Sequence, residues 1–186
     1  DSHPHISVIA TSRREANGGK FKGSIAAELE ILGKAAAAGC QLVDLELQSA
    51  IRLKPAQLEK LRSKAVLILS YHDFKATQKL DEILKKMSVY PADLYKVATT
   101  ARSLYDNVLM MKFLESHRDR HALLGMCMGE QGVISRVLGV RAGSQFTFAA
   151  LNADEKTAPG QITARDLRST YRIDHVDAAT KVFGVA

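Results

Sequence analysis

Short apolar runs recur along this chain, each followed by a stretch with helical period, and that alternation admits few folds. Residues 6–11, 41–47, 64–70, 93–99, 123–128 and 144–149 read as strands. Between them, Ser24 is placed to cap a helix in which Ile25, Leu29, Leu32 and Ala36 follow the helical period until Gly39 ends it. Pro55 suits the first turn of a short helix, and residues 77–87, 103–116, 131–138 and 163–171 give further helices. Six strands, each followed by a helix and with no internal linker, predict one parallel α/β domain.

The most informative strand is 93–99, whose alternation puts Leu94, Lys96 and Ala98 on one face and Tyr95, Val97 and Thr99 on the other. Lying between two helices, it should be an inner parallel strand buried on both faces. Desolvation favours the neutral amine, which makes Lys96 a candidate nucleophile toward a carbonyl. A lysine that reaches the strand end or pairs with a carboxylate accounts for the same pattern. His72 follows the apolar run 64–70 with the parity of Val66, Ile68 and Ser70, so it should point inward at the strand's mouth, where an imidazole exchanges protons near neutral pH. The alternative is a core histidine held by a carboxylate.

Two parallel architectures fit the alternation, a doubly wound sheet and a (β/α)8 TIM barrel. Arg13, Asp44 with Glu46, His72 and Lys96 all fall at or near the carboxyl ends of different strands, the active-site arrangement of a barrel. Gly18, Gly19 and Gly23 make neither GxGxxG nor a P-loop, which removes the nucleotide-binding readings. The histidines show no metal-ligand spacing, and His3, His5, His117, His121 and His175 are assigned to termini or loops, so no metal site is expected.

The net charge of +6 and a pI of about 9.4 raise the question of nucleic acid. The basic residues are dispersed, and their densest stretches, around Lys54 to Lys64 and Lys79 to Lys86, carry no interleaved aromatics. Solvated helix faces explain them, and neither nucleic acid nor membrane is expected as a partner. With 46% hydrophobic residues the chain can build one substantial core, and no apolar run approaches a membrane span. Residues 1–5 lack a basic n-region and an apolar h-region, so no targeting segment is expected here. Cys40 and Cys127 form no CxxC pair and are read as reduced, buried thiols. A soluble, cytoplasmic protein is the expectation, or a plastid one in a plant source.

Ser70-x-His72-x-Phe74, then Asp93-Leu-Tyr-Lys96-Val-Ala-Thr99, then Met128-Gly129 through Ser135-Arg136, then Gly143-Ser144 and Ala158-Pro159-Gly160-Gln161, together resemble type I 3-dehydroquinate dehydratase in order and spacing across nearly the whole chain. The resemblance implies a TIM barrel that converts 3-dehydroquinate to 3-dehydroshikimate plus water in the shikimate pathway, without a cofactor. It implies that Lys96 forms an imine with the substrate ketone and that His72 is general base and then general acid. Arg136 falls on the position that binds the substrate carboxylate, and Arg13, Thr157 and Gln161 fall on substrate-binding positions. Asp44, Glu46, Asn17 and Ser144 are candidates to support these groups. For Asp44 and Glu46, a structural network inside the barrel is an equal alternative.

The chain departs from the family in three places. The family often has an acidic partner for the histidine where this chain has Asn17, and usually a serine where it has Thr157. By length the barrel is expected to start at its third strand, leaving about six βα units. Taken alone such a chain should expose strand edges and lack turnover. Residues 172–186 resemble the linker and first strand of a shikimate dehydrogenase domain. The expected division is therefore a dehydratase-like domain over 1–171 followed by the start of a fused, NADP-dependent domain; a homodimer is a further expectation. The rival classes are another lysine-imine barrel of the class I aldolase kind, separable by substrate screening, and an inert or regulatory remnant, separable by turnover.

Overall fold

A computed structural model describes residues 6–182. His3 and His5, and the last four residues of the expected dehydrogenase-like segment, lie outside them. The sheet has five strands in the order β1-β2-β3-β4-β5: β1 (Ile9–Thr11), β2 (Leu42–Glu46), β3 (Val66–Asp73), β4 (Leu94–Thr100) and β5 (Leu123–Met128). β1 pairs β2 and β2 pairs β3 in parallel, with Thr11 beside Asp44, Asp44 beside Ile68 and Glu46 beside Ser70. Neighbouring strands in sequence are neighbours in the sheet, the usual outcome of short βα connections. The chain divides into two compact units, one made of residues up to His72 with Glu82–Lys96, the other of Asp73–Asp81 with residues from Val97 onward.

In the first unit, helix α1 (Ile25–Ala37) starts where Ser24 Oγ accepts the Ala27 N–H at 3.2 Å. It buries Leu32 and Ala36. Gly39, with φ of +100°, turns the chain out after the helix, a conformation that a side chain disfavours. After the one-turn α2 (Leu47–Ala50), α3 (Pro55–Arg62) opens on Pro55 and buries Leu58 and Leu61. Val43, Leu45, Leu67 and Leu69 form the opposite parity of β2 and β3 from Asp44, Glu46, Ser70 and His72, and are fully buried. Helix α4 (Leu80–Met87) contributes Ile83, Leu84 and Met87 to the first unit's core. Each large side chain so buried stabilises by roughly 1.5–3 kcal/mol.

In the second unit, α5 (Tyr105–His117) packs on β5 so closely that a Cβ on Gly125 would lie 2.7 Å from Leu114 Cδ2 and 2.8 Å from Met110 Sδ. Helix α6 (Val133–Ala142) follows, and Asn107 fixes its start: Oδ1 accepts the Ser135 N–H at 2.9 Å while Nδ2 donates to Gln131 O at 2.6 Å. Helix α7 (Ala164–Ser169) begins on the Thr163 side-chain cap. Arg141 Nε donates to Thr180 O at 2.7 Å and ties the carboxyl-terminal segment to α6.

Three expectations are corrected. Residues 144–149 do not form a sixth strand; only Ser144 makes an isolated bridge, to Leu123. The chain leaves α6 through Gly143 at φ of +114°, and Ser144 Oγ donates to Phe146 O at 3.0 Å, a local bond that competes with a ladder. Cys127 is buried as expected but Cys40, in the turn after α1, is only half-buried. His117 is in the last turn of α5 rather than in a loop, with Nε2 2.6 Å from Asp81 Oδ1. Among the described residues no helix is long and apolar enough to cross a membrane, and no three His, Cys, Asp or Glu gather as a metal site.

Candidate active site

The polar parity of β2, β3 and β4 converges in the first unit. Lys96, in the middle of β4 and 8% exposed, places Nζ 3.0 Å from Asp44 Oδ2. Asp44 Oδ1 accepts from Arg13 Nη2 and from Ser70 Oγ, both at 2.7 Å. Glu46, two residues along the same strand, is held by Arg13 Nη1 and lies 2.8 Å from Ser70 Oγ, and its Oε2 lies 3.0 Å from His72 Nδ1. Two cations and two carboxylates, with one hydroxyl and one imidazole, form a continuous chain from Lys96 to His72 that is buried except at the partly exposed Arg13 and His72.

Desolvating four charges is costly, and only this degree of mutual pairing makes it tolerable. The Asp44 carboxyl shows the balance: burial alone would raise it, but Lys96 and Arg13, with the Ser70 and Lys96 hydrogen bonds, hold it below its ordinary value. It is therefore a carboxylate at neutral pH, a fixed counter-charge for Lys96. Arg13, read from sequence as a substrate contact, has both terminal nitrogens committed to Asp44, Glu46 and Ser70. Asn17 is buried in a turn where its N–H bonds Arg14 O, whereas the carboxylate that meets His72 comes from β2.

The second unit holds the other predicted residues. Arg136 on α6 is 2% exposed, with Nη1 3.7 Å from Met126 Sδ and Nη2 3.5 Å from Pro159 O. Its buried Nε has no hydrogen-bond partner among the described residues. Burial lowers its pKa, yet a guanidinium stays charged in a protein, so this is a desolvated cation whose acceptors among the described residues are a thioether and a long carbonyl contact. Beside it the loop 157–161 is tied by hydrogen bonds: Gly129 N–H donates to Pro159 O at 3.0 Å, and Gln161 Oε1 accepts the Thr157 N–H at 2.8 Å and lies 3.2 Å from Thr157 Oγ1. Gly160, at φ of +73°, sits where a Cβ would be 2.1 Å from Gly129 O. Ser144 lies elsewhere, at the amino end of β5, where its hydroxyl accepts the Gly125 N–H at 3.2 Å.

The structure thus gathers Lys96, His72, Arg13, Asp44 and Glu46 in one network, and Arg136, Thr157 and Gln161 in another. Sequence reasoning placed Ser70 in the motif with His72 but gave no role to this hydroxyl, which lies between the two carboxylates. Its signal was present, a polar residue sharing the inward parity of His72 in an otherwise apolar strand.

A parallel α/β sheet carrying a buried lysine and a histidine, each on its own carboxylate at successive strands, defines the class as an α/β domain of the TIM-barrel kind, here with an open sheet among the described residues. The chain belongs to the type I 3-dehydroquinase family, whose model matches residues 1–178. The 3-dehydroquinate dehydratase of Dehalococcoides mccartyi is 41% identical over 167 residues, covering 88% of this chain and 74% of that protein. The crystal structure of 3-dehydroquinate dehydratase from Geobacillus kaustophilus superposes with a TM-score of 0.82 at 30% identity, over 91% of this chain and 68% of that one. The chloroplastic bifunctional 3-dehydroquinate dehydratase/shikimate dehydrogenase of Arabidopsis thaliana is 30% identical over 183 residues, 97% of this chain but 30% of that protein.

Proposed function

We propose that this chain dehydrates 3-dehydroquinate to 3-dehydroshikimate through an imine on Lys96, and that it turns over despite the expectation from its length that it lacks activity alone, because the lysine, the imidazole and both carboxylates are assembled within one unit. The observation that carries the reading is the buried Lys96 with its Asp44 counter-charge, in one network with an imidazole held by a second carboxylate. The amine adds to the ketone carbon and water leaves, giving a protonated imine that keeps the positive charge Asp44 already balances. That cation withdraws electrons from the adjacent carbon, and His72 takes a proton there. The electron pair forms the carbon–carbon double bond as the hydroxyl departs, protonated by the same imidazolium. Hydrolysis of the imine returns Lys96 and releases the product. No cofactor enters any step.

Arg136 is assigned the substrate carboxylate, because a buried guanidinium with an unmatched Nε–H gains most from an acceptor that takes two parallel hydrogen bonds. Thr157 and Gln161 are assigned further polar contacts to substrate. Arg13 is assigned mainly to charge balance within the network. Borohydride added to the chain with 3-dehydroquinate should leave a reduced adduct on the Lys96 peptide, and the conjugated product should accumulate without borohydride. An adduct on Lys64 or Lys112, or none with no turnover, overturns the reading.

A further inference from the structure

Glu46 grips one residue with both of its oxygens. Oε1 accepts the His72 backbone N–H at 3.1 Å, and Oε2 lies 3.0 Å from the His72 ring Nδ1. Oε2 also takes a hydrogen bond from the Arg13 guanidinium and lies 2.8 Å from Ser70 Oγ. An oxygen that already accepts from a guanidinium is an acceptor toward the imidazole as well, so Nδ1 must be the ring nitrogen that donates. In a neutral imidazole one nitrogen carries the proton and the other the lone pair, and the partner of one decides the state of both.

The geometry points to Glu46 as the positioning residue that selects the catalytic tautomer of His72, with Nδ1 protonated and Nε2 bearing the lone pair that removes the substrate proton. This rests on the assignment of His72 as proton carrier and names the group that makes it competent. Asn17 cannot do this unaided, because an amide offers either an acceptor or a donor and does not impose one tautomer. Glu46 is fixed for the task by its own supports. It is 2% exposed and sits beside Ser70 in the β2–β3 register, and the Glu46–His72 backbone bond sets the distance from strand to ring. When His72 becomes an imidazolium, the same carboxylate faces the new charge. Asp44 serves Lys96 in the parallel way, so the two carboxylates of one strand divide the nucleophile and the base between them.

The test is the nitrogen spectrum of the His72 ring in the full chain labelled with ¹⁵N, assigned by its loss in His72→Ala. In its neutral form the His72 ring of the unmodified chain should show a protonated Nδ1 and an unprotonated Nε2. The opposite tautomer overturns the inference, with no variant needed. In Glu46→Gln the two tautomers should mix, and kcat should fall by about 10²–10⁴-fold, the usual share of positioned proton transfer, with KM within a few-fold. Borohydride trapping on Lys96 should persist in that variant. Native kcat with a mixed tautomer overturns the inference, as does an unchanged tautomer in a folded Glu46→Gln. Absence of the Lys96 adduct in the unmodified chain would instead defeat the imine reading and leave the tautomer result to stand or fall separately.

Discussion

Asp44 and Lys96, 52 residues apart in sequence, meet as a buried ion pair with Oδ2 and Nζ 3.0 Å apart, and everything chemical in the first unit is arranged around it. Removing one partner of such a pair leaves an uncompensated charge, at a cost of about 3–5 kcal/mol. Lys96→Ala should therefore abolish both turnover and the borohydride adduct and lower the denaturation midpoint, though Arg13 and Ser70 still satisfy part of Asp44. Lys96→Ala with residual adduct formation at another lysine would show that the nucleophile has been misassigned.

The pH dependence of stability follows from Asp44. Burial raises its carboxyl and Lys96 with Arg13 more than reverse this, so the folded pKa lies below the unfolded one. The folded state then binds fewer protons than the unfolded state. Its contribution is full above the ordinary aspartate value of about 3.9 and is lost as pH falls through the lower folded value. Urea midpoints between pH 6 and pH 2.5 should drop in the unmodified chain and drop less in Asp44→Asn. Parallel curves for the two proteins would remove Asp44 from the account.

His72→Ala should separate the two halves of the reaction. The nucleophile and the proton carrier are different groups, so the variant should still form the Lys96 adduct under borohydride while losing about 10²–10⁴-fold in kcat. Near-normal turnover in His72→Ala would refute its role.

Arg136 should show function and stability in opposition. A buried guanidinium whose Nε lacks a partner destabilises the fold, and methionine fills similar space without the charge. Arg136→Met should raise the thermal midpoint while raising KM at least about tenfold, since one charge-assisted pair to a carboxylate contributes about 1.5–3 kcal/mol. Arg136→Lys should recover little, because a point charge lacks the planar fork. A variant that is less stable and binds substrate normally would make Arg136 a structural residue.

Much of this was legible in the sequence because strand parity is strict. One inward lysine, one inward histidine and two acids at alternate positions of a short strand fix a common face before any coordinates exist. What parity does not tell is which acid serves which base. That assignment depends on register, Glu46 beside Ser70 and Asp44 beside Ile68, which is a relation between strands rather than within one. The expected strand at 144–149 failed for a related reason. Its apolar residues Phe146 and Phe148 satisfy the pattern, but they pack on each other, with ring centroids 5.5 Å apart, while Ser144 closes a local bend. Cys40 was misread because its apolar neighbours belong to the end of a helix and the turn after it, where one side faces solvent.

Gly160 offers the sharpest test of the second network. Its φ of +73° is left-handed, and its Cα faces the Gly129 carbonyl so closely that an added Cβ would fall 2.1 Å from the oxygen. Both atoms involved are backbone, so no flexible side chain can yield. Gly160→Ala must shift the loop or flip the peptide, and either movement breaks the Gly129 N–H to Pro159 O bond that anchors it. Strain of this kind costs of order 1–3 kcal/mol. The loop is surface-exposed over much of its length and can move without unfolding the core, so the damage should stay local. Gly160→Ala should therefore raise KM for 3-dehydroquinate, with a thermal midpoint lowered by only a few degrees and the Lys96 adduct still forming at high substrate concentration. An unchanged KM would mean that Thr157 and Gln161 do not contact substrate. Loss of the adduct at saturating substrate would mean that the loop supports the chemistry itself.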